Sequence, residues 1–197
     1  ENVLAVKADT REPNNSRWYT GGGLFRDVTI VVTDPQLYLM RHPLYITTTQ
    51  ISKSSAIVKV QAEIASSSRD NVKAELVIHD NRGNEVYRSS EEFKRRQSTW
   101  EYQFADVKIS NPQLWDCENP NLYTATVSLI DNNGKVSDSI SERFGIRTLE
   151  FSPEFGMKLN GEKVLLKGVA NHHSLGALGA AAYPRAIEKR IQLFKEI

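Results

Sequence analysis

The chain has 197 residues, 40% of them apolar and 25% charged, and its 25 Lys and Arg against 24 Asp and Glu leave a formal charge of +1. That make-up suits one or two folded cores of about 100 to 150 residues. It argues against a nucleic-acid partner, which calls for a clustered basic face, and against a membrane, since no apolar stretch reaches the ~18 to 20 residues that span a bilayer.

Residues 1–33 open on an apolar run, Val3-Leu4-Ala5-Val6, and close on a second, Asp27 to Thr33, before Asp34-Pro35. Both read as strands. Two strands alone are marginal in water, so this stretch is expected to be the end of a preceding domain. From about residue 36 to 147 the dominant period is two, the mark of strands with one face on a core and one in water. Val58, Val60, Ala62 and Ile64 alternate with Lys59, Gln61 and Glu63. Ala74, Leu76 and Ile78 repeat the pattern, as do Trp100, Tyr102 and Phe104, and then Tyr123, Ala125, Val127 and Leu129. Asp80-Asn81-Arg82-Gly83-Asn84 and Asp131-Asn132-Asn133-Gly134 supply residues that tolerate positive φ, as hairpin turns require. Around seven strands in ~110 residues predict an immunoglobulin-like antiparallel β-sandwich, without the Cys-Trp-Cys pattern of antibody domains.

Beyond the sandwich, Lys163 to Val169 is a short continuous apolar run, followed by a small-residue loop and then Pro184 to Ile197. In that last segment Ile187, Ile191, Phe194 and Ile197 fall on one helical face opposite Glu188, Lys189, Gln192 and Lys195, and Pro184 suits a first helical position. Strand, loop and helix in this order begin a β/α unit. One such unit has nothing to close against, so the expectation is a chain cut inside a larger fold, with the helical stripe covered by another copy through self-association at the truncated ends, covered by the sandwich, or else disordered.

Four stretches in order resemble glycoside hydrolase family 2, the group of β-galactosidases, β-glucuronidases and β-mannosidases. They are Asn15 to Val28 around Trp18-Tyr19-Thr20-Gly21-Gly22-Gly23, Leu114 to Tyr123 around Trp115-Asp116-Cys117-Glu118-Asn119-Pro120, Phe144-Gly145-Ile146-Arg147, and Leu159 to His173. The resemblance implies three modules. Residues 1–34 would end a sugar-binding-type jelly roll, 35–147 would be the sandwich, and 148–197 would supply the first strand and helix of a TIM barrel. It also implies a retaining exo-β-glycosidase, most simply a β-galactosidase, acting on a carbohydrate substrate without a cofactor. The large β-galactosidases carry an acidic metal ligand before the tryptophan of the first motif. Here Ser16 and Arg17 stand there, so no metal is expected.

Retaining glycosidases use two carboxyl groups about 5 to 5.5 Å apart, one protonating the leaving oxygen and one attacking the anomeric carbon. The resemblance puts both on glutamates of later barrel strands, so this chain is expected to contain no catalytic residue and to be inactive alone. Asn84-Glu85 repeats the family's acid/base dipeptide but follows a sandwich hairpin, and Glu91-Glu92, Asp116 and Glu118 read as solvated charges. His172 and His173 lie on the loop after the apolar run, at the end of a barrel strand where active sites form. From the residues alone they read as loop-packing histidines. The resemblance implies that His172 hydrogen-bonds sugar hydroxyls, and His173 is kept beside it as a substrate-binding candidate. His42 and His79 fall in sandwich strands, too far along the chain to suggest a four-histidine site. Cys117 lacks a basic neighbour and reads as an inert thiol. A non-catalytic carbohydrate-binding or adhesion sandwich is the alternative, which calls for a row of exposed aromatics. Trp100, Tyr102 and Phe104 sit instead on a core-facing alternation.

Overall fold

The computed structural model describes residues 3–9, 23–24, 27–67, 71–94, 98–172, 175–181 and 183–196. Its centre is an immunoglobulin-like antiparallel sandwich. One sheet is built on β2 (Ser55–Ser66), with β1 (Leu37–Ile51) on one side and both β5 (Thr99–Gln103) and β6 (Val107–Ser110) on the other. The facing sheet has the order β4 (Glu85–Lys94), β3 (Asn71–His79), β7 (Tyr123–Ile130), β8 (Val136–Phe144). β5 and β6 form one edge broken by a bend. Gln61 to Ala65 pair with Gln103 to Thr99, Ser55 to Val58 pair with Ser110 to Val107, and Phe104 N–H bridges the gap to Val60 O at 3.0 Å.

The alternation read in the sequence is the core. Val58, Val60, Ala62 and Ile64 of β2 are fully buried against Ala74, Leu76 and Ile78 of β3 and Ala125, Val127 and Leu129 of β7, while the intervening side chains are more exposed, with the exception of Val77, which is buried too. Phe104, Val107, Ile109 and Ile146 complete the cluster. Both hairpins form as expected, and by the same device. The Asp80 carboxylate accepts the N–H groups of Arg82 and Asn84, each at 2.9 Å, and Asp131 accepts those of Asn133 and Lys135. Gly83 and Gly134 take the left-handed position that closes each turn. Tyr123, at the start of β7, is buried, and its hydroxyl accepts the Gln113 N–H at 2.8 Å, the corner contact of immunoglobulin-like sandwiches.

The two seams between the sheets are each closed by a carboxylate. Asp138 of β8 accepts Leu39 N–H of β1 at 2.8 Å. On the other side Glu91 of β4 accepts the Tyr102 hydroxyl at 2.6 Å and Ala105 N–H at 3.2 Å, and Phe93 stacks on Tyr102 with ring centroids 3.7 Å apart. Glu91 is therefore a tie between sheets, not the solvated loop charge its neighbourhood in the sequence suggests.

After the sandwich comes a three-stranded meander of β9 (Leu149–Ser152), β10 (Gly156–Leu159) and β11 (Glu162–Val164). Asn160 and Gly161, with φ of 52° and 84°, make the β10–β11 turn. Residues Val32–Leu166 form one compact unit, and Glu1–Val31 with Lys167–Ile197 form another.

Two expectations need correction. The apolar runs Val3 to Val6 and Asp27 to Thr33 are not strands among the described residues. They lie exposed with no ladder partner, and alternation or apolarity without a partner leaves the backbone irregular. The Lys163 to Val169 run enters only the short β11, and Leu165, Leu166 and Val169 beyond it are exposed. The helix α1 (Pro184–Glu196) forms as read, and within the chain Ile187, Ile191 and Phe194 of its stripe are 44%, 50% and 43% exposed.

Candidate functional site

The histidine loop is held by the helix that follows it. α1 starts at Pro184, whose missing N–H is no loss in a first turn, and Ala186 and Ile187 donate to Tyr183 O. Arg185 and Glu188 pair at 2.6 Å on its exposed side. Two turns in, Arg190 turns toward the loop, and its Nη1 donates to Asn171 Oδ1 and to His172 O, both at 3.0 Å. A guanidinium on a side-chain amide and a main-chain carbonyl at once fixes the backbone at residues 171 and 172. The His172 side chain is exposed. Such an imidazole offers a donor and an acceptor to a polyhydroxylated ligand. His173 lies outside the described residues, as do Ser16 to Gly22 of the first motif. Arg190 was not singled out from the sequence, because its partners are a carbonyl and an amide that no spacing rule connects to it.

The carboxylates nearest in sequence to glycosidase chemistry are engaged elsewhere. Glu85 begins the edge strand β4, exposed and paired with Arg88 at 2.6 Å, and the Arg88 hydrogen bond holds its carboxyl below the ordinary glutamate range. A general acid needs the reverse, a carboxyl raised toward neutrality. Asp116 accepts Asn119 N–H at 2.6 Å and Glu118 N–H at 2.9 Å in a tight turn, and the Asn119 contact lowers it too. Both are structural acceptors. Cys117, in the same turn, is exposed and free. Among the described residues no three His, Cys, Asp or Glu side chains converge as a metal site would need, and His42 and His79 lie in β1 and β3.

The two remaining motifs meet at a junction. Trp115 N–H donates to Ile146 O at 2.9 Å, and Arg147 lies over the Trp115 ring at 4.6 Å. Asn160 Nδ2 donates to Trp115 O and Asn160 Oδ1 accepts Thr148 N–H, both at 3.0 Å. Gly145 is packed so closely that a Cβ there would sit 2.7 Å from Trp115 Cβ. The reach of Asn160 back to Trp115 left no signal in the sequence, where Asn160 stands only as part of the fourth family-like stretch.

These motifs, their order and the sandwich they build agree with known proteins. The family model of the glycosyl hydrolases family 2 matches residues 42–147. The chain belongs to that family. It is 36% identical over its whole length to the β-galactosidase BoGH2A of Bacteroides ovatus, covering 23% of that protein. Against a β-glucuronidase of Formosa agariphila it is 31% identical, with 92% of this chain and 21% of the relative covered. The solved structure of a family 2 member from Bacteroides cellulosilyticus superposes with a TM-score of 0.87 at 34% identity, over 94% of this chain and 25% of the other. The chain thus spans about a quarter of the length of these family 2 relatives.

Proposed function

We propose that the chain is the non-catalytic portion of a retaining exo-β-glycosidase that hydrolyses terminal β-linked sugars, most simply a β-galactosidase. Its identity of 36% along the full chain to a β-galactosidase is the observation that carries this reading. In it, residues 1–34 end a sugar-binding-type module, 35–147 form the sandwich that orients its neighbours, and 148–197 begin the catalytic domain. Asp80, Asp116 and Asp131 serve turns, Glu91 and Asp138 seams, and Glu85 an ion pair, in keeping with a catalytic pair located elsewhere in the parent protein. His172 donates to or accepts from a sugar hydroxyl, with Arg190 as its positioning residue and His173 beside it.

The test compares the 197-residue chain with the parent protein on nitrophenyl β-galactoside and nitrophenyl β-glucuronide. The parent should cleave the galactoside faster and release the β-anomer first, as retention requires. The chain alone should give no turnover. Turnover by the chain that disappears in Glu85→Gln would overturn the assignment of the acids to other residues, and preference of the parent for the glucuronide would overturn the galactosidase reading.

A further inference from the structure

The outward face of the β1–β2–β5 sheet is not flat. Between Leu39 and Leu44, β1 advances five residues while its partner β2 advances two, from Ile64 to Ala62. The surplus lifts His42 out of the ladder with φ of 53°. Below this rim lies a hollow of about 400 Å³ lined by His42, Tyr45, Gln61, Glu63 and Glu101 with the backbone between them. Tyr45 is 64% exposed and pairs with Gln61, and Glu63 stands directly opposite Glu101. Among the described residues no cation pairs with either carboxylate.

None of this serves stability. Like charges facing each other across a ladder weaken it, and a large ring in water adds nothing to the core. Bulges commonly re-aim side chains at binding sites. What the hollow offers is a ring face beside a set of hydrogen-bonding groups, all mounted on adjacent strands whose spacing the ladder fixes. A pyranose presents the complement: an apolar C–H face and a rim of hydroxyls that carboxylates accept and an amide both accepts from and donates to.

We propose that this hollow is a non-catalytic binding site for a neutral saccharide, with the sugar over Tyr45 and its hydroxyls on Gln61, Glu63 and Glu101. Glu63 and Glu101 set the charge preference, because a uronic acid would bring a third carboxylate to two that have no counterion. The ligand class rests on the carbohydrate reading above, whereas the site lies on the sandwich and needs no catalytic group.

The experiment is an amide NMR titration of the 197-residue chain with lactose, cellobiose, glucuronic acid and calcium chloride in separate arms. Lactose or cellobiose should shift residues around 42–45, 61–63 and 101–103, and glucuronic acid should bind at least tenfold more weakly. Tyr45→Ala and Glu101→Gln should each weaken the neutral sugar about tenfold, the loss of one stacked or hydrogen-bonded partner, with the thermal midpoint unchanged in Tyr45→Ala and unchanged or slightly raised in Glu101→Gln, which relieves the repulsion from Glu63. Absence of shifts with every neutral sugar, equal binding by Tyr45→Ala, or a response confined to calcium would overturn the proposal. Hydrolysis is not read in this titration, so the nitrophenyl glycoside assays and the saccharide site can fail separately.

Discussion

Replacing Gly145 by Ala tests whether the Trp115 junction is as rigid as its contacts imply. Gly145 does not occupy the left-handed region, so backbone conformation alone would favour alanine, by about 0.4 to 1 kcal/mol through the unfolded state. Sterics oppose this. The new Cβ would stand 2.7 Å from Trp115 Cβ, 2.8 Å from Cγ and 3.0 Å from Cδ1, inside any ordinary carbon contact. Trp115 has little room to retreat, because its N–H is bonded to Ile146 O, its carbonyl to Asn160, and its ring to Arg147. Overpacking against a pinned neighbour costs about 1 to 3 kcal/mol, so the net expectation is destabilisation by about 1 to 2 kcal/mol. Urea unfolding followed by tryptophan fluorescence measures it. Trp115→Gly in the same chain takes away Cβ, Cγ and Cδ1 together and should remove the clash, so the double-mutant cycle should show a coupling of about 1 to 2 kcal/mol. Gly168→Ala, with nothing within 4 Å of its Cβ, serves as the control and should be neutral or slightly stabilising. An unchanged or raised stability in Gly145→Ala, or additive single changes, would refute the packed junction.

Glu91→Ala should lower stability by about 1 to 3 kcal/mol by removing the acceptor of Ala105 N–H and of the Tyr102 hydroxyl, whereas Glu92→Ala, at an exposed position, should stay within about 0.5 kcal/mol in the same urea assay. Asp80, Glu85 and Asp116 are lowered mainly by hydrogen bonds from Asn84, Arg88 and Asn119, so folding binds fewer protons there than the unfolded chain does. Their contribution is present above the ordinary carboxylate values of 3.8 and 4.5 and is lost as the pH falls through the lowered ones. Thermal midpoints measured from pH 6 down to about 2.5 should fall less steeply in Asp80→Asn than in the parent chain. In the parent protein, His172→Ala should reduce kcat/KM by about 10- to 100-fold, as loss of a sugar-contacting hydrogen bond does, and Arg190→Ala should do so to a lesser degree that Arg190→Lys only partly restores. Equal activity in His172→Ala would remove that residue from the substrate rim.

The sandwich was legible because burial on one face imposes a period of two, which β7 keeps throughout and β2 and β3 keep outside the buried runs Ile64–Ser66 and Leu76–Ile78. The turns were legible for a similar reason, since Asp80 and Asp131 begin the same arrangement of side-chain acceptor and left-handed glycine. What escaped the sequence were the places where the period breaks. The bulge in β1 shifts the phase between Leu39 and Leu44, and the bend at Phe104 divides one edge into β5 and β6. Long-range partners left no local trace either. Glu91 looks like any surface acid until Tyr102 and Ala105 arrive from the other sheet, and Arg190 looks like any helix charge until the histidine loop reaches it. The flanking apolar runs misled in the opposite sense, because Val3 to Val6 and Leu165 to Val169 have strand-like composition without a strand beside them. For the site, the loop holding His172 could be found by resemblance, while the hollow under His42 depends on a ladder irregularity that composition does not announce.

Asn160 carries a mechanical consequence. A meander joined to its neighbour only through the backbone at Thr148 could swing about that single peptide, like a flap on one pin. The side-chain amide, reaching across to the carbonyl of a residue forty-five positions earlier, adds a second fastening away from the first. Two separated points define an axis but forbid rotation across it, so torque applied to β9–β11 is delivered to the strand exit beside Ile146 instead of being dissipated in a loose connection.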